Sequence, residues 1–327
     1  MRMNVMLRTA LFFTLASAAW GQIGGPVLGY LPEGNSIRTM YGLPAAGAVG
    51  AALNTGRALT LSAVSPNQNF ALGVAADTGE LLLVIPSADG SVATVSPVSD
   101  AAAGASRIVL SPDGSAAASW FSSSGHLQVI NGLPGSAAVR DIDASFLGAA
   151  PTALAVSDDG QWVTGAWTQG LYVFGPVGQV SVLNTSLNPD APVTALSFFH
   201  RRADIALATA TQAITIADIG GGAVPAIVWS IPDTGAPAGS LLGIGVSFDN
   251  NSLVMAWDSG GLLTVNVAAG TSAGSDCGCA PAGIFGLGGS VFRLTGLNSG
   301  ALKVFDAATG DVWFVPLAAS SADGGQQ

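Results

Sequence analysis

A four-residue turn recurs along the chain, and this repeat restricts the possible folds more than any other feature. The clearest copies are Ser65-Pro66-Asn67-Gln68, Ser111-Pro112-Asp113-Gly114, Ser157-Asp158-Asp159-Gly160 and Ser247-Phe248-Asp249-Asn250. In most copies Pro or Asp stands second and Asp or Asn third, which favours a tight chain reversal between two apolar segments. Recurring strand–turn–strand units predict a repeat architecture, not one irregular domain.

Weaker copies of the turn complete the series and give its period. They are Leu31-Pro32-Glu33-Gly34, Ser197-Phe198-Phe199-His200 and Phe285-Gly286-Leu287-Gly288. The fourth positions of the seven copies lie 34 to 50 residues apart, with a mean near 42. A four-stranded propeller blade has about 40 to 45 residues. We therefore predict an all-β fold, a seven-bladed β-propeller of four-stranded antiparallel blades that forms one domain over residues 22–318.

Short apolar strands support this prediction. Phe70–Ala75 precedes Glu80–Ile85, and Leu253–Trp257 precedes Leu262–Val267, each pair joined by a tight turn that contains glycine. The strands are apolar on both faces, as expected where neighbouring blades cover each sheet. An outer-membrane barrel would need longer strands that alternate apolar and polar residues.

Two of the repeats and the last one resemble a known class of repeat proteins. Leu110-Ser111-Pro112-Asp113-Gly114, Val156-Ser157-Asp158-Asp159-Gly160 and the closing segment Val304–Trp313 resemble blades of WD40-like and YVTN-type propellers exported by bacteria. The resemblance implies a seven-bladed architecture and says nothing about a substrate. The chain departs from true WD40 repeats, because no blade carries their Gly-His and Trp-Asp pair.

The N-terminus has the layout of a secretory signal peptide over residues 1–21. Arg2 and Arg8 precede the apolar stretch Ala10–Ala19, and small residues follow. The alternative, a membrane anchor, needs about 20 apolar residues. We expect a secreted or periplasmic protein with no membrane insertion after cleavage, and a flexible tail over residues 319–327.

Charge and composition limit the possible partners. Without Arg2 and Arg8 the chain has 8 basic and 20 acidic residues, a net charge of −12. Nucleic-acid binding is excluded because it depends on clusters of Lys and Arg. We predict a monomeric, non-enzymatic binding or scaffold module for an unknown protein or glycan. The alternative is a propeller hydrolase or lactonase-like enzyme.

Few residues are suited to catalysis or metal binding. His126 and His200 are the only histidines, and no nucleophile, zinc or phosphate-binding motif occurs in a suitable context. We predict no catalytic residue, no metal and no cofactor. The alternative is a calcium site at Asp141 and Asp143 or at Asp158 and Asp159, although turn aspartates usually bond the local backbone.

Four aromatic residues occupy the same position in their blades. Tyr41, Phe121, Trp167 and Trp257 each lie seven residues beyond a turn, at the end of the second strand. Aromatic rings at that end of a propeller are candidate ligand-binding residues, because they stack on sugars or form protein-binding hot spots. The alternative role is packing between blades.

Cys277 and Cys279 are the only cysteines. An even count in an exported protein predicts a disulfide, here a local one that closes a very small ring. Free thiols or an intermolecular bridge are the alternatives.

Overall fold

The computed structural model describes residues 26–43, 46–183, 192–230, 238–297 and 301–316. The predicted signal peptide, the exact limits of the predicted domain and the predicted tail lie outside these residues. The described residues form seven antiparallel sheets around a central channel, and within each sheet the strands follow in sequence order. The predicted all-β, seven-bladed propeller is confirmed.

The strand nearest the channel is the first of each blade. Blade 1 contains β1 (Val27–Glu33), β2 (Ser36–Leu43) and β3 (Ala46–Ala52). Blade 2 contains β4 (Leu59–Val64), β5 (Ala71–Ala75), β6 (Leu81–Pro86) and β7 (Ala93–Pro97). Blade 3 contains β8 (Arg107–Leu110), β9 (Ala116–Phe121), β10 (His126–Asn131) and β11 (Ala138–Asp143). Blade 4 contains β12 (Ala153–Val156), β13 (Val163–Trp167), β14 (Gly170–Phe174) and β15 (Val180–Val182).

The last three blades follow the same plan. Blade 5 contains β16 (Ala195–Phe198), β17 (Ile205–Ala208), β18 (Gln212–Ala217) and β19 (Val224–Ser230). Blade 6 contains β20 (Leu241–Val246), β21 (Ser252–Trp257), β22 (Gly261–Asn266) and β23 (Thr271–Asp276). Blade 7 contains β24 (Phe285–Gly286), β25 (Val291–Arg293), β26 (Leu302–Asp306) and β27 (Asp311–Val315).

Blade 1 and blade 7 close the ring without sharing a strand among the described residues. Blade 1 has three described strands where four were predicted, and β27 is the outermost strand of blade 7. The N–H of Val49 donates to the carbonyl of Pro316 at 2.9 Å. Leu31 and Val49 of blade 1 also pack against Leu302 and Val315 of blade 7. Apolar burial and one backbone bond therefore hold this junction.

The core lies between neighbouring blades. Between blades 3 and 4, for example, Val129 packs in one buried cluster with Val156 and Val163. Burial on both faces explains why the strands carry apolar residues in succession instead of alternating with polar ones. The described residues contain one helix, the short 3₁₀ turn Ser145–Leu147, and no helix of a length that would cross a bilayer.

The repeated turn has a simple hydrogen-bond basis. In the third copy the Ser157 hydroxyl donates to Asp159 Oδ1 at 2.6 Å and accepts from the Trp162 N–H at 3.0 Å. The Gly160 N–H donates to the Ser157 carbonyl at 2.9 Å, and Gly160 has a φ of +61°. A left-handed φ costs glycine nothing and costs Asn little. The Ser-x-Asp-Gly pattern therefore follows from the conformation of the turn, which needs Ser and Asp for its hydrogen bonds and Gly for its left-handed φ.

Candidate functional site

The repeated turns join the first strand of each blade to the second, so all of them lie at one end of the ring. We call this end the turn-side mouth of the channel. A cavity of about 400 Å³ lies between the first strands and extends to the turns, where Pro66, Pro112 and Phe248 line it. Its wall is mainly apolar, and no described aspartate or glutamate lines it.

Hydrogen bonds link the turns to one another around this mouth, and we call them the turn ring. Six of the seven blade-to-blade junctions have one: Tyr30 N–H to Gln68 Oε1 (2.7 Å), Asn67 Nδ2 to Asp113 O (2.6 Å), Asp113 N–H to Asp158 Oδ1 (2.8 Å), Arg201 N–H to Asp158 Oδ2 (2.7 Å), His200 N–H to Asn250 Oδ1 (2.8 Å) and Phe248 N–H to Gly289 O (2.8 Å). Five of these six donors are backbone N–H groups, so the turns satisfy backbone donors across blade boundaries, and this fixes the shape of the mouth.

Asp158 joins three blades within the turn ring. Its two carboxylate oxygens accept the N–H groups of Asp113 in blade 3 and Arg201 in blade 5. The side chain is only 6% exposed, and burial raises the pKa of the carboxyl to about 6. Desolvation outweighs the two backbone donors here, since burial disfavours the charged form.

His200 lies beside Asp158 at the mouth. Its Nδ1 is 3.9 Å from Asp158 Oδ2 and has no hydrogen-bond partner among the described residues. The imidazole is 4.3 Å from the Phe248 ring, measured between centroids. Burial lowers the pKa of His200, so the neutral form is favoured.

Among the described residues that line the cavity, Arg293 is the one charged side chain. It is the last residue of β25, five residues beyond the turn of blade 7, and is 4% exposed. Its guanidinium carbon is 4.0 Å from the centroid of the Phe285 ring, which lies opposite on β24. No hydrogen bond or ion pair joins the guanidinium to another described residue, and burial lowers the pKa of Arg293 to about 10.

Two phenylalanines at this mouth remain accessible. Phe248, in the turn of blade 6, is 43% exposed, and Phe285 is 41% exposed. Both line the cavity beside Arg293 and His200. The mouth therefore combines exposed aromatic surface, an apolar wall and one buried cation.

The four aromatic residues predicted as ligand contacts lie elsewhere and do not converge. Phe121, Trp167 and Trp257 are 3%, 5% and 1% exposed and belong to three different inter-blade clusters. Trp167 packs edge-on against the rings of Trp120, Tyr172 and Phe174. The geometry of these three residues favours the packing alternative, since a ligand has no access to a ring buried this deeply.

Tyr41 is the partly exposed member of the predicted set. Its hydroxyl lies 3.2 Å from the carbonyl of Asp89 and donates to it, so the ring bridges blades 1 and 2. The ring packs over Gly50 on the next strand, where a Cβ would come within 2.5 Å of it. Tyr41 is therefore held in place by its neighbours and lies apart from the turn-side mouth.

The other predicted groups have local partners. Cys277 and Cys279 are joined by a disulfide. The carboxylate of Asp143 accepts from Ser145, and Asp141 accepts from Gln128. No group of three or more His, Cys, Asp or Glu side chains suited to a metal occurs in the described part of the chain. The aspartates considered for calcium accept hydrogen bonds from protein donors.

Arg293, Phe285 and Phe248 were not predicted as site residues from the sequence. One signal was present for Arg293: it interrupts the apolar segment Val-Phe-Arg-Leu in a chain with only 9% charged residues. Which side of the strand faces the cavity depends on how the blades enclose the channel, and the sequence gives no direct sign of that.

Comparisons with known proteins give information about the fold alone. No protein-family model and no curated protein matches the chain, so the resemblance to WD40-like and YVTN-type repeats stays a prediction. One similar solved structure is dihydro-heme d1 dehydrogenase NirN in complex with DHE, with 17% identity and a TM-score of 0.49; the match covers 80% of this chain and 57% of that one. Another is a functionally unknown protein from Desulfotomaculum acetoxidans DSM 771, with 11% identity, a TM-score of 0.58, and coverage of 89% and 100%.

Proposed function

We propose that the protein is an exported, non-enzymatic binding module that docks a protein partner on the turn-side mouth of its channel. The observation that carries this proposal is the pairing of two exposed phenylalanines, Phe248 and Phe285, with an apolar cavity behind them. Aromatic anchors beside a pocket are typical of binding hot spots.

The carboxylates at this mouth support binding over catalysis. Hydrolysis by a lactonase-like or glycosidic mechanism needs carboxylates that are free to reach a substrate or a metal. Asp158 instead accepts two backbone N–H groups, and the Asp113 carboxylate accepts from Ser115 within its own turn. The hydrogen bonds of these two carboxylates hold the turns in place and so shape the mouth.

The chemistry of the wall favours a protein over a glycan. Each sugar hydroxyl that becomes buried requires a hydrogen-bond partner. The first strands present mainly Val, Leu, Ile and Ala side chains to the cavity. An apolar side chain or short segment of a protein suits such a wall better, because its burial removes apolar surface from water.

Site-specific cross-linking tests the proposal. A photo-cross-linking amino acid is placed at Phe248 in one variant and at Phe146 in a matched control, since Phe146 is 60% exposed on the 3₁₀ turn after β11. Both variants are expressed in the source organism, and the cross-linked proteins are identified by mass spectrometry. We expect one defined protein to be cross-linked from position 248, and we expect that this protein is not cross-linked from position 146.

The identified partner is then purified and titrated against variants by calorimetry. We expect Phe248→Ser and Phe285→Ser each to weaken binding by about tenfold or more, and Phe146→Ser to leave it unchanged. Equal cross-linking from both positions, or an affinity insensitive to Phe248→Ser and Phe285→Ser, would contradict the proposal. If the wild-type protein hydrolysed lactone or glycoside substrates and the mouth variants did not, the enzymatic alternative would be favoured.

A further inference from the structure

Arg293 differs from the partly buried Arg107 and Arg140 in having no hydrogen-bond acceptor among the described residues. Arg107 donates to the carbonyl of Pro151 at 2.7 Å. Arg140 donates to the carbonyls of Gly160, Gln161 and Gly175 at 3.0 to 3.2 Å. Those guanidinium groups tie blades together. Arg293 is more deeply buried than either and makes no such bond to a described residue.

Packing does not explain a guanidinium in this position. A methionine or leucine would fill the same apolar space without the cost of desolvating a charge, which reaches several kcal/mol for an unpaired buried ion. The contact with Phe285 offsets part of this cost through a cation–π interaction. The Phe285 ring accepts no hydrogen bond in the plane of the guanidinium, so the five N–H donors of the side chain stay available for a ligand.

The surrounding cavity has no compensating charge. No described aspartate or glutamate lines it, although acidic residues outnumber basic ones by 20 to 10 in the whole chain. A negatively charged ligand is the species that this wall lacks.

We infer that Arg293 is the anchor of an anion-binding site inside the channel, and that its ligand is an organic carboxylate with an apolar body. A planar guanidinium and a carboxylate match in a bidentate pair. One cation balances the single charge of a carboxylate, whereas a doubly charged phosphate would leave one charge unpaired. The apolar wall and the Phe285 ring hold the rest of the ligand, and about 400 Å³ is within the range of small-molecule pockets.

This site goes beyond the proposed docking function, with which it shares the cavity and Phe285. The carboxylate has two possible sources, a free small acid or the carboxyl terminus of an apolar peptide. Both present the same chemistry to Arg293. A titration with small probes uses no protein partner. Its failure would not affect the cross-linking result, and failed cross-linking would not affect the titration.

Calorimetric titration of the mature chain tests the inference with matched probes. The probes are phenylacetate, its neutral analogue phenylacetamide, inorganic phosphate, and an apolar tetrapeptide with either a free or an amidated carboxyl terminus. Arg293→Met removes the charge at similar length, and Arg293→Lys keeps the charge but not the bidentate geometry. Arg140→Met is the control, because it removes an arginine that bonds only backbone carbonyls.

We expect an acid probe to bind wild type at least about tenfold more tightly than its neutral analogue. Arg293→Met abolishes this preference, Arg293→Lys reduces it, and Arg140→Met retains it. Preference for phenylacetate identifies a small acid as the source, and preference for the free-terminus peptide identifies a chain terminus. Equal binding of acid and amide, no binding of either acid at millimolar concentration, or equally tight binding of phosphate overturns the inference. If Arg293→Met does not fold, the acid–amide comparison in wild type and in Arg293→Lys still decides.

Discussion

The turn-side mouth and the aromatic cluster of Trp120, Trp167, Tyr172 and Phe174 use similar residues for different purposes. In the cluster every ring has a ring neighbour with centroids about 6 Å apart, and the Trp167 Nε1–H donates to the Ala149 carbonyl at 2.8 Å. At the mouth, Phe248 and Phe285 are more than 40% exposed, and the Arg293 guanidinium has no acceptor among the described residues. The Trp120 Nε1–H of the cluster is also buried without a partner, so the two regions differ in access: rings closed in by their neighbours have a structural role, whereas an unbonded cation beside exposed rings indicates where a ligand belongs.

The largest expected effect separates the cluster from its edge. Trp167→Ala removes a buried ring between blades 3 and 4 and should lower the free energy of unfolding by about 3–5 kcal/mol. Phe146→Ala, at the exposed edge of the same cluster, should cost less than about 1 kcal/mol. Urea denaturation followed by circular dichroism measures both. Similar losses for the two variants would show that Trp167 has no special part in blade packing.

The turn ring gives the next largest effect. Asp158→Ala leaves the partly buried N–H groups of Asp113 and Arg201 without acceptors, and we expect a loss of about 2–4 kcal/mol. Asp249 occupies the equivalent turn of blade 6 but bonds only within that turn, to Ser247 and Asn251. Asp249→Ala should therefore cost about 1 kcal/mol. Equal losses in chemical denaturation would mean that the bonds between blades add nothing to the local ones.

Asp158 and His200 should give opposite pH dependences of stability. The pKa of Asp158 is raised to about 6, so the folded state holds a proton that the unfolded state has lost. In His200→Asn, stability should therefore fall by about 2–3 kcal/mol between pH 4 and pH 6. The pKa of His200 is lowered, so in Asp158→Asn stability should fall as the pH drops below 6.5. Denaturation curves across this range that slope the same way in both variants would refute the assignment.

The smallest effect concerns Arg140 and Arg293. Arg140→Met leaves three carbonyls without their donor and should lower stability by about 1–2 kcal/mol. Arg293→Met removes a desolvated charge without a partner and should leave stability equal or raise it by about 1 kcal/mol. Thermal unfolding without ligand compares them directly. A loss for Arg293→Met as large as that for Arg140→Met would make Arg293 a structural residue.

The local half of this structure was predictable from the sequence. The turns needed a left-handed residue at their fourth position, and Gln68, Gly114, Gly160 and Asn250 all have positive φ. Their spacing gave seven blades, and the predicted strands begin and end within a few residues of the observed ones. These features depend on hydrogen bonds and dihedral angles within a few neighbouring residues.

The non-local half was not predictable in the same way. Trp167 and Trp257 end equivalent strands, yet their burial depends on which side chains the next blade brings against them. The cavity around Arg293 is lined by residues from every blade, from Tyr30 onward, across more than 250 residues of sequence. A single charged residue in an apolar strand marks such a position without showing where its side chain points.

A crystal structure of the protein soaked in 4-bromophenylacetate tests the central claim most directly, because the bromine gives an anomalous signal that locates the ligand independently of interpretation. Our account predicts one peak inside the channel, with the carboxylate paired to the Arg293 guanidinium and the ring beside Phe285. A peak between Phe146 and Tyr172, or none in the channel at a concentration that saturates binding in solution, would contradict it.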